Sequence, residues 1–238
     1  MRLAVKPVAV EDIAAWRDMY RREMNCQIVH DDMHARAGWT QPFLFEADGV
    51  AAGYGSILVG GPWKGTRTVF EFFVAPNHRS HVFGLFEKLL EASEATAMEV
   101  QTNDILITVM LHLWAHNIVN EKILFEDKLT TAHAFEGAAL RYREDPDRDW
   151  VVQIDGVVAA SGGILYHYNR PYGDIYMEVA EPYRRRGVGC FLVQELKRIC
   201  YELGSVPCAR CNPSNTASRR TLQKAGFVPC AHILTGTL

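Results

Sequence analysis

The stretch DGVAAGYGSIL, residues Asp48 to Leu58, recurs as DGVVAASGGIL, residues Asp155 to Leu165. The offset is 107 throughout, and seven of the eleven positions are identical. In each copy an apolar run precedes an Asp-Gly turn and a second apolar run follows it, which is typical of a β-hairpin. Internal repetition of this kind predicts two copies of one folding unit.

The two copies stay in step beyond the hairpin. Each continues into a strand that ends just before a proline, Pro76 or Pro182, and then into a helical pattern, 82–95 or 188–203. A short strand, a second helix and a closing strand complete each copy. Because strands and helices alternate, the sequence predicts a mixed α/β unit that is present twice.

The two halves differ at their beginnings. The first has a leading strand, Leu3 to Val10, and an amphipathic helix, Glu11 to Met24, whereas the second has a charged connector, Thr130 to Asp149. We place the domain boundary in this connector and expect units at 1–132 and 133–238. The second unit is then expected to lack its own leading strand and helix, and to cover that side by packing against the first.

Composition excludes several classes of protein. With 48% apolar and 22% charged residues in a chain of 238, the protein is neither disordered nor fibrous. A net charge of −3 provides no basic surface for nucleic acid. The longest apolar run, Ile105 to Ala115, is shorter than the roughly 20 residues that a membrane span needs. We expect a soluble, cytoplasmic protein with neither a nucleic-acid nor a membrane partner.

Cysteine and histidine spacing gives little support for a metal site. Cys208 and Cys211 have zinc-like spacing, but no second pair stands at a matching distance. His30 and His34 would share one face of a helix, but a polar helix face or a loop is the preferred explanation of this pair. A core of this size does not need disulfides, so we expect no metal and mostly buried free thiols.

A phosphate-binding loop is indicated in the second half. The segment Arg184-Arg-Arg-Gly187-Val-Gly189 lies between a strand and a helix that begins near Val188. A helix N-terminus presents unpaired N–H groups, glycines let an anion approach the backbone, and arginines add charged donors. The segment is neither a P-loop nor a dinucleotide fingerprint. On these residues alone, a basic turn with two glycines is the alternative.

The second half resembles the GNAT-type N-acetyltransferase superfamily. Arg184 to Gly189 is similar to the acetyl-CoA motif of that family, which reads Arg or Gln, two residues, Gly, one residue, then Gly or Ala. The family's second motif is matched in spacing by Asn215, Ser218, Lys224, Gly226 and Phe227. The resemblance covers Asp174 to Phe227, and the hairpins extend it over most of the chain. It implies two tandem GNAT-like units, each with a mixed, mostly antiparallel sheet flanked by helices.

The resemblance also implies a cofactor. In this family the loop N–H groups bind the pyrophosphate of CoA, the preceding strand pairs with the pantetheine arm, and the second motif lies beside the thiol. Acetyl-CoA is thus implied as a co-substrate. The implied binding residues are Val179, Ala180, Arg184, Arg185, Arg186, Gly187, Val188, Gly189, Asn215 and Ser218.

The first half provides an internal comparison. When Pro76 is aligned with Pro182, His81 stands for Gly187 and Phe83 for Gly189, and of the three arginines Arg79 alone remains. A phenylalanine at the position of closest approach should exclude a pyrophosphate. We therefore expect a degenerate first unit and one CoA per chain.

Strand alternation selects candidate catalytic residues. Asp174, Tyr176 and Glu178 should share one face of the strand before the loop. Glu178 is the candidate general base, directly or through water, with Tyr176 as the positioning group or acid and Asp174 in reserve. A simply solvated face is the alternative. Many family members have a tyrosine acid at the position of Leu222, so the acid is left open.

These residues predict an acetyl-CoA-dependent N-acetyltransferase that acts on a primary amine of a small molecule or peptide by direct attack on the thioester. One alternative is a non-catalytic CoA-binding or interaction module. The other is an acyltransferase that uses another acyl-CoA or an oxygen acceptor. Because the two halves can pair within one chain, we expect a monomer, with a homodimer as the alternative.

Overall fold

The computed structural model describes residues 2–132, 135, 138–142 and 150–238, and it divides into two compact units. Unit 1 contains the chain up to Glu121 together with His232–Leu238, and unit 2 contains Lys122–Ala231. The sequence-based division at 132/133 does not anticipate that the last seven residues pack with the first unit.

Unit 1 is an α/β unit whose sheet is mostly antiparallel. The strand order is β1-β2-β3-β4-β5, followed by the C-terminal part of β12 (Phe227–Thr237), and β4 and β5 form its one parallel pair among the described strands. Helix α2 packs Leu85, Phe86 and Leu89 into the core of this unit. The elements are β1 (Leu3–Pro7), α1 (Ala14–Met24), β2 (Thr40–Ala47), β3 (Val50–Leu58), β4 (Thr68–Val74), α2 (Val82–Ser93), β5 (Ala97–Gln101), α3 (Ile105–Trp114) and the first half of β6 (His116–Asp127).

Unit 2 repeats this arrangement. Its strand order is β6-β11-β10-β9-β8-β7, with β10 and β11 parallel and the other neighbours antiparallel. Helix α4 packs Leu192, Val193 and Leu196 into the core. The elements are the second half of β6, β7 (Ala138–Tyr142), β8 (Trp150–Ile154), β9 (Val157–Leu165), β10 (Tyr172–Val179), α4 (Val188–Glu202), β11 (Val206–Cys211), α5 (Thr216–Lys224) and β12 (Phe227–Thr237), which ends in unit 1.

The repeated hairpins are confirmed. Asp48 and Gly49 have φ of 49° and 81°, and Asp155 and Gly156 have φ of 51° and 78°. Because both central residues of each turn have a positive φ, these are two-residue turns of type I′. The twist of such a turn matches the right-handed twist of the flanking strands.

The expectation that unit 2 lacks a leading strand is wrong. Strand β7 precedes the hairpin and pairs antiparallel with β8, from Ala138↔Ile154 to Tyr142↔Trp150. The strand was missed because Ala-Ala-Leu-Arg-Tyr shows no alternation of polar and apolar residues and leads into a charged run. Residues 143–149 of that run lie outside the described part of the chain.

The parallel strand pair of each unit opens after a few residues. In unit 1, β4 and β5 pair only at Thr68↔Ala97 and Val69↔Met98. In unit 2, pairing of β10 with β11 ends at Asp174↔Cys208, although both strands continue. The opening leaves one edge of β10 without a strand partner, from Ile175 to Val179.

Asp104 gives unit 1 a testable dependence on pH. It caps α3, accepting from the Ile107 N–H (3.3 Å), and also accepts from the Tyr20 hydroxyl (2.9 Å). The side chain is 4% exposed, and burial raises the pKa of Asp104 from 3.8 to about 6. Because Asp104 ionises less readily in the folded state than in the unfolded state, its ionisation lowers the free energy of unfolding as pH rises. This loss of stability occurs between about pH 4 and pH 6.

We therefore expect Asp104→Asn to be more stable than wild type at pH 7, by less than about 3 kcal/mol, since the amide keeps the capping acceptor and cannot ionise. Urea unfolding of both proteins at pH 4 and pH 7 tests this. The difference should shrink at pH 4, where the wild-type carboxyl is protonated in the folded state and about half ionised in the unfolded state. A variant less stable than wild type at pH 7 contradicts the argument.

Candidate functional site

A cavity of about 840 Å³ lies within unit 2, beside the open edge of β10. Its walls are the end of β10, the loop before α4, the first turn of α4 and one side of α5. The predicted loop residues Arg184, Arg185, Gly187, Val188 and Gly189 all line it. Val179, Asn215 and Ser218 line it too, so the two predicted motifs meet in one place.

The loop ends in an open helix N-terminus. Gly187 is the N-cap of α4, with φ of 92°, and α4 has no side-chain cap, so its first backbone N–H groups are left for another acceptor. Arg185 also has a positive φ, 62°. Arg184 Nε donates to the carbonyl of Val179 (3.0 Å), which ties the loop to the end of the strand. Such a helix start, with cations around it, can hold an anion such as a phosphate.

The second glycine of the loop has a packing role. A Cβ at Gly189 would lie 3.1 Å from Val179 Cγ2 and 3.3 Å from Met177 Sδ. Gly189 therefore lets the first turn of α4 approach β10 closely. The sequence led us to expect that both loop glycines make room for an anion. Gly189 instead mainly sets the distance between α4 and β10.

The open edge of β10 can pair with an extended ligand. Ala180 N–H donates to the carbonyl of Ala159 (2.9 Å), so its backbone faces β9. Backbone groups alternate along a strand, and those of Met177 and Val179 therefore point away from β9, toward the opening. The Val179 carbonyl already accepts from Arg184, which leaves its N–H and both groups of Met177 on this edge.

The three candidate catalytic side chains have different surroundings. Glu178 is exposed and lines the cavity. Tyr176 is exposed but lies against the sheet, where its hydroxyl would be 2.8 Å from a Cβ placed on Gly163, and it is not among the cavity residues. Asp174 is buried (3% exposed). Of the three, Glu178 is the one brought to the cavity.

Asp174 belongs to a buried polar cluster that the sequence did not reveal. Its Oδ2 lies 3.2 Å from Arg210 Nε and 3.4 Å from His167 Nε2. Burial raises the pKa of Asp174 to about 6, although the nearby positive charge of Arg210 opposes this. A carboxylate engaged with a guanidinium is a poor reserve base, and its position at the last β10–β11 pair indicates a structural part.

Helix α5 contributes more to the site than the motif spacing indicated. The Asn215 side chain caps the helix by accepting from the Ser218 N–H (3.0 Å). Leu222, where a tyrosine acid stands in relatives, is 3% exposed and packs in the core of unit 2. Arg186 is not among the cavity residues, and its guanidinium lies 5.9 Å from the ring centre of Tyr183. The further lining residues of α5 are Thr216, Ala217, Arg220, Thr221 and Lys224.

Unit 1 has different geometry at the corresponding place. Helix α2 begins at Val82 as α4 begins at Val188, so His81 corresponds to Gly187. The φ of His81 is −109°, and the preceding residues Pro76–His81 form a 3₁₀ helix. Phe83, at the position of Gly189, is in ring contact with Trp114 of α3 (6.2 Å between centroids). Aromatic rings thus stand where unit 2 has its cavity-lining glycine.

The candidate metal-binding residues have other partners. His34 Nε2 lies 2.9 Å from Glu71 Oε2 and His30 Nε2 lies 2.6 Å from Glu99 Oε1, each a separate pair. All six cysteines are free thiols, and four of them, including Cys208 and Cys211, are buried. Among the described residues, no group of three His, Cys, Asp or Glu side chains could hold a metal ion. No helix in the described ranges is long and apolar enough to span a bilayer.

Comparison with known proteins supports this picture. Residues 116–227 match a protein-family model that is described as "Acetyltransferase (GNAT) family". A GNAT-family acetyltransferase from Colwellia psychrerythraea has a similar fold, with a TM-score of 0.74 at 13% identity over 98% of this chain and 99% of that one. A GCN5-related N-acetyltransferase from Sphaerobacter thermophilus has a TM-score of 0.64 at 15% identity over 99% and 95%.

A third similar structure is also built of two units. It is a tandem GNAT protein from the clavulanic acid biosynthesis pathway, with a TM-score of 0.66 at 13% identity over 100% of this chain and 98% of that one. At these identities the structures establish the fold, and the expectation of a GNAT-like fold is confirmed. No curated protein matched the sequence.

Proposed function

We propose that this protein is an acyltransferase of the GNAT acetyltransferase family, whose family model matches residues 116–227, and that it transfers the acetyl group of acetyl-CoA to a primary amine of a small molecule or peptide. The observation that carries the proposal is the junction of an uncapped α4 N-terminus with the open edge of β10 in one cavity. The first can hold the pyrophosphate, and the second can pair with the pantetheine arm.

Different residues of this chain bind different parts of acetyl-CoA in this proposal. The N–H groups at the start of α4, with Arg185, bind the pyrophosphate. Backbone groups of Met177 and Val179 hydrogen-bond the pantetheine as an added strand would. This directs the thioester toward the opening between β10 and β11. An N–H group on that edge can stabilise the oxyanion that forms when the amine attacks.

Glu178 is the proposed general base. An alkyl amine with a pKa near 10.4 is only on the order of 0.1% neutral at pH 7, so a group that takes its proton is needed. Glu178 is the carboxylate that reaches the cavity, and it can accept the proton directly or through a water molecule. The CoA thiolate then leaves without a tyrosine acid, since the position of that acid is the buried Leu222.

We expect Glu178→Gln to lower kcat about 100- to 1,000-fold at pH 7, while acetyl-CoA binding is unchanged. Release of free thiol is measured with an amine panel, and the affinity for acetyl-CoA is measured separately by calorimetry. Glu181→Gln is the matched control, because Glu181 is an exposed carboxylate three residues away that does not line the cavity. Equal loss in both variants, or none in Glu178→Gln, contradicts the assignment; Tyr176→Phe tests the positioning role.

The buried Leu222 favours a second candidate, a CoA-binding module that does not turn over. Both candidates predict acetyl-CoA binding, and only the enzyme releases thiol in the presence of an amine. Turnover of a longer acyl-CoA, or with an oxygen acceptor, would instead identify a different acyltransferase.

The proposed setting is the cytoplasm, where six free thiols persist and acetyl-CoA is available. We also propose that the protein is a monomer that binds neither nucleic acid nor membrane. Sedimentation at the mass of one chain, 26.8 kDa, is the expected result, and twice that mass would indicate a homodimer.

A further inference from the structure

The cavity of unit 2 is lined by more positive charge than its loop supplies. Among the described residues, its lining includes the cations Arg184, Arg185, Arg220 and Lys224, and one carboxylate, Glu178. The first two cations belong to the loop before α4. The other two belong to α5, and nothing in the proposed function uses them.

Arg220 and Lys224 stand side by side on α5. They are four residues apart, so they share one face of the helix, and their like charges repel each other. Both side chains are exposed, and within the described part of the chain no ion pair involves either. Arg198 of α4 is different, since it pairs with Glu195 (3.0 Å) and Glu202 (2.6 Å). An anion in the cavity would relieve the repulsion on α5.

The neighbouring arginine of α5 does not contribute. Arg219 turns its Nη2 to the hydroxyl of Thr216 (3.0 Å), and it is not among the cavity residues. Lys224 lies near the first turn of α4, since its charge lowers the pKa of the Cys190 thiol against the larger effect of burial. Lys224 therefore lies beside the start of α4, and Arg220, one turn earlier on the same face of α5, lines the cavity with it.

CoA carries phosphate at two places. The pyrophosphate joins its two halves, and a separate 3′-phosphate monoester on the ribose has a charge of about −1.5 to −2 at neutral pH. The α4 N-terminus and the loop provide for the first. An arginine that can form two parallel hydrogen bonds, with a lysine as a point charge beside it, is suited to the second.

We propose that Arg220 and Lys224 bind the 3′-phosphate of CoA and make the site selective for CoA over 3′-dephospho-CoA. This inference rests on the proposed function, because it assumes that the cavity binds acetyl-CoA. It assigns a specificity role to two residues of α5 beyond the pyrophosphate loop.

The test is calorimetric titration of acetyl-CoA and of 3′-dephospho-acetyl-CoA into the full chain. Wild type should bind acetyl-CoA about 10- to 100-fold more tightly, as expected for charged hydrogen bonds. Arg220→Gln and Lys224→Gln should each weaken acetyl-CoA about tenfold and leave the dephospho compound unchanged. Arg198→Gln is the control, since it removes one positive charge from the same unit outside the cavity.

The titrations distinguish failure of this inference from failure of the proposed function. If the α5 variants weaken both compounds equally, these residues contact the pyrophosphate, and the inference is wrong while the proposed function stands. If wild type does not discriminate, or the variants change nothing, the inference is again wrong alone. If wild type binds neither compound, the proposed function fails and the inference fails with it. Both side chains are exposed, so the variants are expected to fold.

Discussion

Gly187→Trp is expected to abolish acetyl-CoA binding, with a loss of at least about 100-fold in affinity. Gly187 is the N-cap of α4, at the point where the loop meets the helix N–H groups. An indole there occupies the space that the pyrophosphate needs, and the helix start can no longer be reached. Calorimetric titration of wild type should give one site per chain, and the variant should give none.

Backbone strain must be separated from the loss of space. Gly187 has φ of 92°, where a residue with a side chain costs on the order of 1–3 kcal/mol. Gly204→Trp is the matched control, because Gly204 also has a positive φ, 74°, and a Cβ there meets nothing within 4 Å. The control should lose similar stability and still bind acetyl-CoA. Loss of binding in both variants would assign the effect to folding.

The number of sites tests unit 1 in the same titration. His81 and Phe83 stand at the positions of the two loop glycines, and Phe83 contacts Trp114. One site is therefore expected, in unit 2. Two sites in wild type would contradict the interpretation of unit 1 as degenerate, and no binding at all would contradict the assignment as an acetyltransferase.

Removal of residues 232–238 is expected to unfold unit 1. These residues form the part of β12 that pairs with β5, from Ile233↔Gln101 to Thr237↔Ala97. Ile233 is 3% exposed, and Leu234 and Leu238 pack against the core of unit 1. Burial of an Ile side chain stabilises by about 1.5–3 kcal/mol and each lost hydrogen bond costs about 0.5–1.5 kcal/mol. The sum is comparable with the 5–15 kcal/mol that usually separates folded from unfolded states.

Hydrogen exchange measures this unit by unit. In the truncated chain, amides of β5 and α2 should lose most of their protection. A synthetic peptide of residues 227–238, added in trans, should restore it if the missing strand is the cause. Unchanged protection of β5 after truncation would mean that β12 contributes little to unit 1.

Much of the fold was predictable because short stretches of sequence specify most helices and strands of each unit. The Asp-Gly turns, the helices beginning at Val82 and Val188 and the strands around them all follow from periodicity and turn chemistry. It was not predictable that β12 begins in unit 2 and ends in unit 1. Its partner β5 is more than a hundred residues away, and nothing in either strand specifies which unit β12 joins.

The site was predictable in its motifs and less so in its surroundings. Glycine and arginine spacing located the loop, but the packing of Gly189 on Val179 depends on a helix–strand distance that no spacing reveals. Strand alternation grouped Asp174 with Glu178, yet one is buried beside Arg210 and the other lines the cavity. Arg220 and Lys224 could have been found from their four-residue spacing on the predicted helix.

The position of the last strand also bears on synthesis at the ribosome. Domains generally fold in order as they emerge, the N-terminal one first. Here unit 1 precedes unit 2 in the sequence but includes His232–Leu238, so its sequence is complete only after unit 2 has been translated. Unit 2, Lys122–Ala231, has its whole sequence available earlier. Until then the edge of β5 in the nascent unit 1 lacks its β12 partner, and an unpaired strand edge of this kind favours misfolding and aggregation.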